Sequence, residues 1–240
     1  IMSEDYTALH GYNPDADLGL GCGLPTQFAK IKKGDVVIDL GSGAGNDCFV
    51  ARAATGASGK VIGIDFTPAM VVKAKANAEN LGYTNVEFRQ GDIDNMPVAA
   101  DVADVIVSNC VLNPVPNKSK VFKEMYRVLK PGGHFSISDI VLVGELPDSL
   151  KKDAEMYAGC VAGAIRKEEY LDLIQLNGFK NIVLQKEKPI IIPADILSNY
   201  LNEEEIEDFK TGNTGIFSIT VYAEKPVEEK DTCCGSGCCQ

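Results

Sequence analysis

The run Asp39-Leu40-Gly41-Ser42-Gly43-Ala44-Gly45 stands between an apolar stretch at 36–40 and an amphipathic stretch at 47–54, and no other feature constrains the fold as much. A glycine-rich turn that leaves a strand and opens a helix lets the backbone approach a ligand closely. From Asp35 onward, short apolar segments alternate with longer amphipathic ones, the pattern of βαβ units and a parallel sheet. Strands are expected at 36–40, 60–65, 85–90 and 103–108, with a fifth beginning at His134. Helices are expected at 47–54, 68–81 and 118–129, the last carrying Val121, Phe122, Met125 and Val128 at helical spacing. Beyond Val143 the alternation loosens. Helices are expected at 149–157 and 167–176, with a small-residue segment at 159–164 between them. Strands follow at 181–186 and 216–224, joined through a turn at 211–215 with no helix between them, so an antiparallel edge is expected.

Composition narrows the function. A formal net charge of −11 opposes binding to phosphate backbones, so no nucleic-acid partner is expected. No apolar run approaches the ~20 residues of a membrane span, and the first residues lack the basic-then-apolar order of a signal peptide. A soluble, cytoplasmic protein without a membrane partner is the expectation. Of eight cysteines, Cys233, Cys234, Cys238 and Cys239 crowd into the last eight residues and the others lie far apart, which suits thiols in a reducing compartment better than a disulfide framework. Only two histidines are present, so chemistry built on histidine bases or ligands starts poorly supplied.

Asp65 closes the second strand roughly 20 residues past the glycine turn, where nucleotide-binding α/β folds place a carboxylate against ribose hydroxyls. A dinucleotide fingerprint would need glycine three places after Gly43, and that position is Asn46. The Asp-x-Gly-x-Gly-x-Gly pattern, the acidic end of strand two and Gly91-Asp92 after strand three together resemble the S-adenosylmethionine methyltransferases. That resemblance implies a Rossmann-like class I α/β fold with a mostly parallel seven-stranded sheet and an antiparallel edge strand. It also implies that the methionine part lies over Gly41, Gly43 and Gly45 and borders Asn109. The ribose would meet Asp65, the adenine would reach Asp92, Ile93 and Asp94, and Asp39, Ser42 and Phe66 would complete the cofactor-binding set.

Three cysteine contexts point to the methyl acceptor: Gly21-Cys22-Gly23, Ser108-Asn109-Cys110-Val111, and Gly159-Cys160-Val161-Ala162-Gly163-Ala164. Together with the glycine pattern they are similar to the arsenite S-adenosylmethionine methyltransferases over residues 17–224. The resemblance implies that Cys22, Cys110 and Cys160 hold trivalent arsenic as thiolates and form the catalytic set, and that an external thiol, glutathione or thioredoxin, supplies electrons. Arsenite is then the substrate, thioredoxin a partner, and arsenic detoxification the role. Longer members carry a further upstream cysteine and an additional C-terminal domain, so fewer methyl transfers are expected here. Residues 1–225 read as one methyltransferase domain with an arsenite-binding lid around 145–215. Residues 226–240 read as a flexible tail, whose cysteines form a second candidate site for the metalloid or for zinc or copper. Cys48, on the helix after the glycine turn, reads as a packing residue. Two other readings stay open: a methyltransferase for another small molecule, with structural cysteines, and a non-catalytic thiophilic metal or metalloid binder.

Overall fold

The computed structural model describes residues 4–145, 161, 163–192, 197–211 and 214–227. The strands are β1 (Val36–Leu40), β2 (Lys60–Asp65), β3 (Val86–Gln90), β4 (Ala103–Asn109), β5 (Leu129–Val143), β6 (Lys180–Pro189) and β7 (Gly215–Glu224). The helices are α1 (Pro25–Phe28), α2 (Asn46–Thr55), α3 (Pro68–Asn80), α4 (Lys118–Val128), α5 (Lys167–Leu176) and α6 (Glu203–Thr211). The strands form one seven-stranded sheet in the order β3-β2-β1-β4-β5-β7-β6. β1 to β5 pair in parallel, and β7 runs antiparallel to both β5 and β6. The mostly parallel sheet with an antiparallel edge is therefore present, with β7 as the reversed strand, one place in from the outermost.

The central strands are apolar on both faces because each face is covered, and alternate residues enter different cores. Val37, Val61, Val105 and Val107 pack with α2 and α3 through Phe49, Ala51, Val71 and Ala74. Ile38, Leu40, Ile62 and Ile106 face α4 and α5 on the other side, among Phe122, Met125, Tyr170 and Ile174. Helix α4 buries Val121, Phe122, Met125 and Val128, the stripe read from its spacing, and is capped by the Asn117 side chain accepting from the Lys120 amide at 3.1 Å.

Two expectations need correction. β5 begins at Leu129, directly after α4, because Leu129 already pairs with Ala103 and the Pro131-Gly132-Gly133 step is absorbed as an irregularity in the β4–β5 register. Helix α6 lies between β6 and β7, where only a turn was expected. A capping box starts it: the Glu205 amide donates to Asn202 Oδ1 at 3.0 Å, and the Asn202 amide donates to Glu205 Oε2 at 2.8 Å. None of its residues is fully buried, so apolar periodicity gave little signal. The helix expected at 149–157 lies outside the described residues.

The strand order reverses between β1 and β4, and ligands in open α/β sheets collect at the carboxyl ends of the strands beside such a switch point. Leu40, Asp65 and Asn109, the last residues of β1, β2 and β4, all end there. Among the described residues, no helix is long and apolar enough to cross a membrane.

Candidate functional site

Two adjoining clefts open at this end of the sheet. One, of about 430 Å³, is lined by Asp39, Gly41 to Ala44, Asn46, Asp47, Asp65, Phe66, Asn109 and Cys110, with Tyr6 and 16–18 from the N-terminal segment. The other, of about 510 Å³, is lined by Gly91, Asp92, Ile93, Asp94 and Pro114 to Pro116. Gly41, Asp65, Phe66, Cys110 and Val111 line both, so the pair is one elongated cleft bent over the glycine turn.

The turn needs its glycines. Gly41 has φ +67°, and a Cβ there would run into the Val111 side chain. Gly45 has φ +102° and closes against the rings of Phe49 and Phe88. Asp65 fastens the turn to the end of β2: its Oδ2 accepts from the Gly43 amide at 2.9 Å and its Oδ1 from the Thr67 amide at 2.8 Å. Each carboxylate oxygen keeps a lone pair for a further donor such as a ribose hydroxyl. Phe66 beside it is 72% exposed, leaving a ring at the join of the two clefts.

Asp39, Asp47 and Asp65 bring three carboxylates to the first cleft. Asp39 is buried, and burial together with the nearby Asp47 holds its carboxyl well above the usual carboxylate range; the Cys48 thiol donates to its Oδ2 at 3.2 Å. Burial pushes Asp47 up to about 6, against hydrogen bonds from Tyr6 and Asn109. Such a cluster favours a cationic ligand, because a positive charge offsets what burial costs the carboxylates. Ser42 Oγ and Asn46 Oδ1, on the same wall, are buried and have no hydrogen-bond partner among the described residues. Their donor and acceptor atoms fit the amino acid end of S-adenosylmethionine, and the length of the double cleft fits a nucleoside beyond it.

Cys22 and Cys110 come together. Cys22 is 1% exposed and sits with Ile140, Leu142, Val161, Ile192, Leu197 and Ile216 in an apolar cluster against which Cys110 also packs. Cys110 directly follows β4, with φ +61°, and its amide donates to the Ser138 carbonyl at 2.7 Å. A non-glycine residue held in this left-handed region is uncommon and is characteristic of sites where a side chain must point one way. The glycines flanking Cys22 allow close packing: a Cβ on Gly21 would strike the Asn109 carboxamide, and one on Gly23 would strike Ser138. The Cys22 carbonyl accepts from Ser218 Oγ at 2.6 Å. Cys160, like Cys233, Cys234, Cys238 and Cys239, lies outside the described residues. Cys48 is fully buried in the α2 and α3 core, as expected of a packing residue.

The comparisons with known proteins match this architecture. A family model described as "Methyltransferase domain" matches residues 31–178. An arsenite methyltransferase of Halobacterium salinarum is 40% identical over 89% of this chain and 52% of its own length. One from Mus musculus is 34% identical over 78% of this chain and 49% of its own. A crystal structure of an arsenic (III) S-adenosylmethionine methyltransferase from Chlamydomonas reinhardtii superposes with a TM-score of 0.70 at 33% identity, over 87% of this chain and 68% of that one. The chain belongs to the arsenite methyltransferase family. It spans about half the length of the curated arsenite methyltransferases it matches.

Sequence reading of this arsenite methyltransferase family member missed Tyr6, Asp47, Asp139 and Tyr170. The Tyr6 hydroxyl donates to Asp47 at 2.9 and 3.0 Å across a separation no local pattern reveals. Asp139 on β5 is fully buried and takes the Tyr170 hydroxyl on Oδ2 at 2.9 Å. Burial pushes it up to about 7 from a usual 3.8, against the pull of Tyr170 on α5 and Lys118 on α4. Because the folded chain holds this proton more tightly, its stabilising contribution is complete below the usual carboxylate pKa and is lost as pH rises through about 7. Asp139→Asn is expected to flatten the fall in unfolding free energy between about pH 4 and 7, by at most about 1.4 kcal/mol per pH unit for one proton. Urea titrations at several pH values check this, and an unchanged slope assigns the pH dependence to other groups.

Proposed function

We propose that this chain transfers a methyl group from S-adenosylmethionine to trivalent arsenic, as arsenite, held by the thiolates of Cys22, Cys110 and Cys160, and so serves arsenic detoxification. The observation that carries the reading is the position of Cys110: it lines both halves of the cleft that fits the donor and packs on the cluster that buries Cys22.

When bound, S-adenosylmethionine supplies an electrophilic methyl group on a sulfonium. Asp65 holds the ribose, Asp39 and Asp47 face the cationic end, and Gly41, Gly43 and Gly45 with Ser42 let the backbone lie against the methionine part. The second half of the cleft, with Phe66, Asp92, Ile93 and Asp94, takes the adenine. Trivalent arsenic is soft and prefers thiolates. Three thiolates leave its lone pair directed at the methyl carbon, so an As–C bond forms as the C–S bond breaks and the electron pair stays on sulfur. No general base is required, in keeping with a site built without histidine, and alignment is the main contribution of the protein. The methylated arsenic has formally lost two electrons; a pair of thiols returns them and becomes a disulfide, with glutathione or thioredoxin as the outside source.

Support for a lid within 145–215 of the 1–225 domain comes from Val161, Ile192, Leu197 and Leu201, which share the apolar cluster of Cys22, while α5 and β6 belong to the helical layer and the sheet. The tail at 226–240 is left as an accessory capture site for thiophilic ions. One assay tests the function: the protein is incubated with S-adenosylmethionine, arsenite and a thiol, and the arsenic species are separated. Methylarsenicals are expected. Methyl transfer only to an organic acceptor, or arsenite binding without turnover, would replace this reading with one of its two rivals.

A further inference from the structure

Asn109 ends β4 between the donor cleft and the Cys22 turn, and its carboxamide is used on both sides. Toward the cysteine, Oδ1 accepts from the Cys22 amide at 3.0 Å and the Gly23 amide at 3.2 Å, and Nδ2 donates to the Gly23 carbonyl at 2.9 Å. Toward the cleft, Nδ2 meets the Tyr6 hydroxyl at 2.6 Å and Asp47 Oδ2 at 3.4 Å. Tyr6 closes the ring by donating its one hydroxyl proton to Asp47, with the Gly23 carbonyl as the alternative acceptor at 3.2 Å, and Thr26 Oγ1 donates to Asp47 at 3.3 Å. Asp47, Tyr6 and Asn109 all line the donor cleft, whereas Cys22 is buried behind them.

Such a chain transmits charge. A cation in the cleft favours the ionised form of Asp47 and strengthens it as an acceptor for the Tyr6 and Asn109 donors. Donation from Nδ2 makes the same carboxamide's oxygen a better acceptor, because linked hydrogen bonds polarise one another. The bonds to the Cys22 and Gly23 amides then tighten, and the thiol is held in one place. We infer that Asn109 is a positioning residue that couples the two sites: occupancy of the methyl-donor cleft fixes the Cys22 turn, so trivalent arsenic binds more tightly once the donor is present. The inference rests on the donor and metalloid sites proposed above and adds an order of binding to them. Linkage makes it reciprocal, so arsenite tightens donor binding by the same factor.

Two substitutions separate the arms of the strut. Asn109→Asp keeps an oxygen for the Cys22 and Gly23 amides and replaces the donor shared by Asp47 and the Gly23 carbonyl by a second carboxylate oxygen. Asn109→Ala removes both arms. Amide hydrogen exchange at residues 20–24 is measured on the full chain with and without S-adenosylhomocysteine, an unreactive occupant of the cleft that keeps the cationic α-ammonium group of the donor, and arsenite affinity is measured in the same two states. In the unsubstituted chain, S-adenosylhomocysteine is expected to slow exchange at Cys22 and Gly23 and to raise arsenite affinity roughly five- to tenfold, the low end of common coupling strengths. Asn109→Asp should keep the part of the resting protection that comes from the oxygen facing the Cys22 and Gly23 amides and lose both responses; Asn109→Ala should lose that resting protection as well. A purely structural role would shift affinities without changing their ratio. Responses in Asn109→Asp equal to those of the unsubstituted chain would overturn the coupling, as would exchange in the unsubstituted chain that ignores S-adenosylhomocysteine while calorimetry shows it bound. Absence of arsenite binding with the exchange response intact would instead remove the arsenic reading and leave the strut between donor cleft and turn in place.

Discussion

Cys22→Ser and Cys110→Ser are each expected to lower arsenite methylation by on the order of a hundredfold or more, since loss of a residue that merely orients a ligand already costs 10–100-fold. Serine is close in size to cysteine, but its hydroxyl is a hard, weakly acidic donor that trivalent arsenic does not favour. Cys22 packs in an apolar cluster, so its serine form is also expected to be somewhat less stable, and folding is checked separately by denaturation. Donor affinity should be largely retained. Cys160→Ser belongs to the same series and is expected to behave alike. Cys48→Ser is the control: a serine hydroxyl there can donate to Asp39 as the thiol does, so a modest loss of stability and near-normal turnover are expected. Methylation at the unmodified rate by Cys22→Ser or Cys160→Ser, with loss in Cys48→Ser, would mean that the ligands are misassigned.

Asp65→Ala is expected to weaken S-adenosylmethionine binding by about 1.5–3 kcal/mol, the range for hydrogen bonds to a charged group, which is roughly 10–150-fold in Kd. The structure adds a second cause. Asp65 also holds the Gly43 and Thr67 amides, so alanine frees the glycine turn as well as the ribose. Asp65→Asn keeps one acceptor oxygen and should lose less. Calorimetry with S-adenosylhomocysteine measures both, and an unchanged affinity in Asp65→Ala would remove Asp65 from the donor site.

The difference between what could be read in the residues and what could not is one of range. Strands β1, β2 and β4 were legible because covered strands must be apolar on both faces, and the glycine turn was legible because a close backbone approach admits no other residue at Gly41. Asp65 followed from its distance past that turn. That Cys22 and Cys110 would lie near one another was expected from the family resemblance and from their places beside the first and fourth strands; they share one apolar cluster, and the Asn109 carboxamide next to Cys110 reaches the Cys22 amide from 87 positions away. Tyr6 and Asp139 carried no local signal, since their partners Asp47 and Tyr170 lie 41 and 31 residues distant. Helix α6 was missed for the opposite reason: its capping box is local, but its exposed face hides the periodicity.

The most direct test of the central claim is a crystal structure of the chain with arsenite and S-adenosylhomocysteine, with arsenic located by its anomalous scattering. An arsenic peak is expected within bonding distance of the Cys22 and Cys110 sulfurs, its open side toward the cleft, with the nucleoside beside Asp65. Arsenic bound only by the tail cysteines, or a nucleoside lying away from Asp65 and Gly41, would contradict it.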